Sequence, residues 1–280
     1  MNKEADLSSP FRLTRRKFLE GLAGIIPYPL LKKPEPPTPQ PPSKEQKEVS
    51  FTSSVLYYHE VTRGRITSDI IDLIKRGFQP LSLDAFIRTL NGDVDISSDP
   101  TFIVTFDDSR LSQYTQGLPA IDAIEKQMGI IIPVTFFGIV GFSNVDGIDY
   151  GPNTIDKIPD ETTAFYDGAV NKYMNKAQLI QVLEWGHSIQ NHTINHPYLT
   201  RVSSGDLINE IRWGESRVDE LWKAAGRKRS VRAFAYPYGA FRRREQDYLA
   251  SFGYDVAFST MPTTSHTTAQ RFRLGRLRRT

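Results

Sequence analysis

The chain has 280 residues, 39% of them hydrophobic and 24% charged, with no cysteine and a formal net charge of +3. That composition fits one mid-sized globular domain plus a tail. It excludes cysteine-ligated zinc, thiol nucleophiles and disulfide staples, and so small a charge argues against a nucleic-acid partner.

At the N-terminus, Thr14-Arg15-Arg16-Lys17-Phe18-Leu19 precedes a mostly apolar run from Gly21 to Leu31. The run is shorter than the roughly 20 residues needed to span a bilayer. Residues 1–31 are therefore read as a twin-arginine type signal or anchor segment, although Pro27 and Pro29 interrupt it and no A-x-A site follows. Residues 32–50 carry six prolines, Pro34, Pro36, Pro37, Pro39, Pro41 and Pro42, among Lys and Glu. Such a stretch is stiff and extended and buries almost nothing, so it reads as a spacer holding a domain at 51–280 away from a membrane or wall.

Beyond it, strand and helix patterns alternate. Val55-Leu56-Tyr57-Tyr58 is a short apolar strand, and Ile70, Ile71, Leu73 and Ile74 pattern as a helix. Leu83, Phe86, Ile87 and Leu90 give a second helix. Phe102 to Phe106 and Ile131 to Ile139 are continuous apolar strands. Leu207, Ile211, Val218 and Leu221 form a helical stripe, and Val231–Tyr236 and Val256–Phe258 are further strands. Continuous apolar strands between helices imply a parallel sheet buried on both faces, and repeated βα units of this length suit an α/β barrel. Residues 143–172 break the rhythm, being rich in Asp, Gly, Asn, Pro and Thr, and read as an insertion loop.

Three clusters carry candidate chemistry. Thr105-Phe106-Asp107-Asp108 ends an apolar strand with two adjacent carboxylates, where a barrel places its active site. Charge at the edge of a core is costly unless paired or metal-bound; a solvated turn or helix cap is the plainer alternative. His192-Thr193-Ile194-Asn195-His196 holds two of the chain's five histidines, four apart, on one face if the segment makes one helical turn. No His-Glu-x-x-His occurs, which argues against a zincin protease. Phe234-Ala235-Tyr236-Pro237-Tyr238-Gly239 closes a strand with aromatics and a turn, a wall for a sugar ring or simply core punctuation.

Together these clusters resemble the NodB-type polysaccharide deacetylases, carbohydrate esterase family 4. Thr105–Asp108 is similar to that family's first motif, T-F-D-D, and His192–His196 to its second, H-[ST]-x-x-H. Phe234–Gly239 resembles the third in the form of one subgroup, as does Val55-Leu56-Tyr57-Tyr58-His59-Glu60-Val61 at the start. The resemblance implies a distorted (β/α) barrel and metal-dependent removal of acetate from N-acetylated amino sugars of a polysaccharide: chitin-like, peptidoglycan or poly-N-acetylglucosamine. It implies a divalent metal, zinc foremost with cobalt or nickel as alternatives, on Asp108, His192 and His196. Asp107 becomes the general base, the Tyr238 backbone N–H the oxyanion donor, and Tyr236, Pro237 and Tyr238 the substrate wall.

The match departs from the family at three places. The late L-x-H that supplies a general acid is absent, which leaves His266 or His59 for that role. The third-motif Arg that steadies the base aligns with Ala235, and the late Trp of the acetyl pocket is missing, with Phe258 nearby. The end of the chain, with Arg271, Arg273, Arg276, Arg278 and Arg279 among Phe272, Leu274 and Leu277, reads as a last strand with solvated charges rather than a patch for an anionic polymer. These departures leave a rival reading, a deacetylase-like sugar-binding module that has lost turnover. A two-metal phosphoesterase is disfavoured, because it needs more bridging carboxylates and histidines. The expected location is outside the cytoplasm, with membrane or cell-wall association through the N-terminal segment.

Overall fold

The computed structural model describes residues 48–96, 100–141 and 173–279. The twin-arginine segment, all but the end of the Pro-rich spacer and the insertion at 143–172 lie outside the described residues. The first described element is β1 (Ser50–Thr52), followed by β2 (Ser54–Tyr58), α1 (Arg63–Lys75), β3 (Gln79–Pro80), α2 (Leu83–Leu90) and β4 (Thr101–Asp107). A π-helical turn, Gln113–Gly117, runs into α3 (Leu118–Met128), then come β5 (Val134–Gly138), α4 (Lys176–Glu184), β6 (Ser188–Asn191) and α5 (Ser204–Ala224). The chain finishes with β7 (Ala233–Ala235), α6 (Arg243–Ser251), β8 (Val256–Phe258), β9 (Ser265–Thr267) and β10 (Leu277–Arg278).

The main sheet runs β10-β2-β4-β5-β6-β7-β8, all parallel, with β3 beside β4. The final segment brings its two edges together. Leu274 bridges to Phe258 of β8, and three residues later Leu277 pairs with Leu56 of β2. The result is a distorted barrel, as the strand pattern and the resemblance imply.

Strand alternation explains why both faces are apolar. Leu56, Tyr58, Phe102, Val104, Phe106, Val134 and Phe136 face outward, packed with Ile66, Ile70 and Leu73 of α1, Ile121 and Ile124 of α3 and Leu221 of α5. Val55, Ile103, Phe137, Ala233, Val256 and Phe258 face the barrel axis, where Phe86 of α2 joins them. At the N-terminal mouth β1 pairs antiparallel with β9, and Phe86 meets Phe51 and His266, each with 5.0 Å between ring centroids. Local caps agree with these boundaries. Ser82 and Ser203 accept from backbone N–H groups three residues on, and Asn175 and Gln178 form a reciprocal capping box.

One strand is shorter than its apolar run. Ile131 is 81% exposed and β5 starts only at Val134, because Pro133 has no N–H to give the ladder.

Candidate active site

The C-terminal ends of β2, β4, β5, β6 and β7 gather the polar residues. In β4 the inward parity of Ile103 and Thr105 continues to Asp107, so its carboxylate points into the barrel mouth. Asp108 then turns in the left-handed region, φ 73°, followed by Ser109 at φ 54°. Its N–H donates to the carbonyl of Phe137 in β5 at 3.0 Å. Thus two neighbouring carboxylates leave the strand in different directions.

The segment from His192 to His196 is an irregular loop and not the helical turn considered above. Thr193 and His196 both take positive φ, 69° and 56°. The Thr193 hydroxyl accepts from the His196 N–H at 2.9 Å, and the Asn191 side chain accepts from the Thr193 N–H at 2.8 Å. The Glu210 carboxylate of α5 accepts from the N–H groups of Ile194 and Asn195 at 3.2 and 3.0 Å. Burial outweighs the hydrogen bonds from Asn195 and Ile194 and pushes the Glu210 carboxyl up. Gly214 of α5 is required beneath this loop, since a Cβ there would lie 2.4 Å from the Asn191 side-chain oxygen.

Asp108, His192 and His196 converge, with one potential ligand atom from each within 4.8 Å of the others. Asp108 Oδ1 lies 3.5 Å from His192 Nε2 and 3.6 Å from His196 Nε2, and the two Nε2 atoms are 3.2 Å apart. His192 Nδ1 donates to the Ala235 carbonyl at 2.7 Å, which fixes the ring with Nε2 toward Asp108. Burial pushes the His196 pKa down to about 3, so that imidazole is neutral. Burial would raise Asp108, but the neighbouring His192, with His196 and His59 behind it, holds its carboxyl well below the usual range. Asp108 Oδ1 is buried and has no hydrogen-bond partner among the described residues. An orphaned carboxylate oxygen beside two imidazole nitrogens is a donor set suited to a divalent cation such as zinc.

Asp107 is held differently. Arg276 Nη1 and Nη2 reach its two oxygens at 2.7 Å each, a bidentate ion pair. Desolvation would raise the Asp107 pKa, yet the Arg276 charge, with His192 behind it, keeps it lowered. Arg276 also donates to Thr105 Oγ1 and the Ser259 carbonyl and sits over the Tyr57 and Phe137 rings. It is fully buried, which corrects its reading as a solvated charge. The arginine expected beside the base, absent at Ala235, is present from the last segment of the chain. Strand parity was the signal: Arg276 lies two residues after Leu274, which faces the barrel interior.

The remaining candidates separate cleanly. His59 follows β2 at the same mouth, electrostatically coupled to Asp107, Asp108 and His196. His266 does not join them. It is buried in β9, donates from Nε2 to the Ser53 carbonyl at 3.0 Å, and packs on Phe51 and Phe86 at the N-terminal mouth. The Tyr236 side chain also points away, into the cluster with Leu249 and Phe234, with its hydroxyl on the Phe272 carbonyl. The Tyr238 ring is at the site, 4.6 Å from His196 and stacked at 3.8 Å on Tyr198, which in turn carries Arg201. Tyr238 has φ 58° within the turn Pro237–Gly239. At Gly239, φ 68°, a Cβ would collide with Thr260, so only glycine fits. Phe258 packs in the barrel interior against Phe86 and Phe137.

A family model described as polysaccharide deacetylase matches residues 95–257, more than half of the chain. The chain therefore belongs to the polysaccharide deacetylase family, hydrolases of carbon–nitrogen bonds other than peptide bonds that deacetylate sugar polymers. The fold is similar to that of the deacetylase PplD of Streptococcus pyogenes, at 20% identity and a TM-score of 0.62 over 83% of this chain and 93% of that one. IcaB from Ammonifex degensii gives 20% and 0.60 over 82% and 92%. A polysaccharide deacetylase from Bacillus cereus gives 17% and 0.60 over 82% and 65%. No curated protein matches the chain.

Proposed function

We propose that this chain hydrolyses the acetamide of N-acetylated amino sugars within a polysaccharide, releasing acetate, and that Asp108, His192 and His196 hold the divalent ion the reaction requires. Zinc suits two imidazoles and one carboxylate, with cobalt or nickel as functional substitutes. The observation that carries the reading is the buried, unpartnered Asp108 Oδ1 facing both Nε2 atoms. When bound, such an ion supplies a Lewis acid to the acetamide and to water.

The chain's own groups do the rest. Asp107 takes the proton of the attacking water. Its pairing with Arg276 keeps it ionised and aimed, and a carboxylate with two oxygens retains lone pairs beyond those the guanidinium uses. His59 gives the proton to the departing amine, since it is the histidine outside the ligand pair that shares this mouth. The Tyr238 N–H faces the developing oxyanion, and the stacked Tyr238 and Tyr198 rings form a wall for the pyranose. The N-terminal segment directs the protein out of the cytoplasm; among the described residues no helix is long and apolar enough to cross a membrane.

Acetate release from N-acetylglucosamine oligomers tests the reading. Release is expected with zinc or cobalt, and its loss with a chelator. Glycan binding without release from any acetylated polymer, under any of these metals, establishes the sugar-binding module instead.

A further inference from the structure

Asp108 has two oxygens, and the structure treats them unequally. Oδ1 faces the imidazoles. Oδ2 accepts from Arg110, from Nη2 at 3.2 Å and from Nε at 3.4 Å. Arg110 is itself buried, its side chain only 4% exposed. A guanidinium so placed is not a surface ornament: an unpaired charge there costs several kcal/mol.

Arg110 is also fixed along its length. Its N–H donates to Gln113 Oε1 at 3.1 Å, and its backbone bridges antiparallel to Tyr173. The guanidinium lies 4.9 Å over the Tyr173 ring. Glu60 Oε1 stands 3.6 Å from Nη1, and Glu60 is in turn held by the Ser112 hydroxyl at 2.5 Å. Gln113, which holds the Arg110 backbone, also donates to the Asp107 and His59 carbonyls. One braced turn thus sets Arg110 against one side of the metal-ligating carboxylate.

We infer that Arg110 is a positioning residue that occupies Asp108 Oδ2, so that Asp108 offers a divalent ion one oxygen and not two. This inference rests on the reading of Asp108, His192 and His196 as the metal site. A carboxylate with both oxygens accessible grips a cation with either one or both. With one oxygen taken by a fixed guanidinium, the ligand set is limited to three atoms, and further positions stay available to water and the acetamide, as a catalytic site needs. A plain structural ion pair would hold the turn together and leave the ligand count untouched.

Cobalt distinguishes these roles, because cobalt(II) with four or five ligands absorbs visible light far more strongly than with six. The full chain, the Arg110→Met variant and the Arg110→Lys variant would each be loaded with one equivalent of cobalt(II), and visible and X-ray absorption spectra recorded. Arg110→Met should gain an oxygen neighbour in the ligand shell and lose visible absorption several-fold, and Arg110→Lys should restore much of the parent spectrum. If the parent chain takes up no cobalt, the metal reading itself fails. If the parent gives a cobalt spectrum and Arg110→Met gives the same one, the metal site stands and the role of Arg110 is overturned. Should Arg110→Met not fold, Arg110→Gln replaces it, judged on the same spectra.

Discussion

Histidines stand at both mouths of this barrel, and their surroundings differ. At the C-terminal mouth, His192 and His196 bring Nε2 atoms to within 3.6 Å of a carboxylate oxygen that has no other partner among the described residues. At the N-terminal end, His266 donates to the Ser53 carbonyl among phenylalanines, and His187 accepts from the Val134 N–H. Burial pushes the pKa of both far-end rings down, with His187 at about 4. Burial of histidine therefore says little about function. What sets the candidate ligand pair apart from the packing residue is a polar atom nearby that no described residue satisfies.

Substitutions can break that contrast, beginning with the most severe. His192→Ala should lose the ion and with it essentially all acetate release, read by metal analysis and by turnover. Asp107→Asn should keep the ion yet lower kcat by about 10²–10⁴-fold, the span of a general base. Full activity in that variant sinks the base assignment. Arg276→Met leaves Asp107 buried and unpaired, which costs about 3–5 kcal/mol of stability. In whatever folds, the Asp107 pKa rises, so the acidic limb of the kcat/KM profile should move to higher pH. His59→Gln should lower kcat by about 10²-fold with the ion retained.

The far mouth supplies the opposite expectations. His266→Gln should leave kcat and metal content alone and cost only about 1 kcal/mol of stability, visible in denaturant melts. For His187 the sign runs toward acid. Its folded pKa, about 4, lies below the ordinary 6.5. The stability it contributes is full above pH 6.5 and is lost as the pH falls toward 4. His187→Gln should flatten that part of the stability–pH curve.

Much of this was legible in residues alone. Phe102–Phe106 and Val55–Tyr58 form strands because both faces of a parallel sheet are buried, so the apolar run itself is the signal. Asp107, Asp108, His192 and His196 stood out because charge and imidazole next to core strands need a reason. Two misreadings share one cause. Arg276 looked solvated among neighbouring arginines, and His266 was a candidate acid, yet each is buried against residues more than a hundred positions away. Pairing over such distances leaves only parity in the sequence, and in two- or three-residue strands parity is a faint trace. The Tyr236 ring was drawn toward the substrate by its neighbours Pro237 and Tyr238, but alternation along β7 sends it to the helix layer.

Asp108, Ser109, Thr193, His196 and Tyr238 all hold left-handed backbone conformations without being glycine. Each such residue costs on the order of 1–2 kcal/mol, and a domain's whole margin over unfolding is about 5–15 kcal/mol. A large part of the fold's cohesion is thus spent at one mouth, and the helices and phenylalanines elsewhere must hold that mouth in shape. Selection for heat resistance in this scaffold should therefore act first at Ser109, whose buried hydroxyl has no partner among the described residues. Glycine there would relax the turn without touching a group assigned to the chemistry, while the same change at His196 would trade away the site itself.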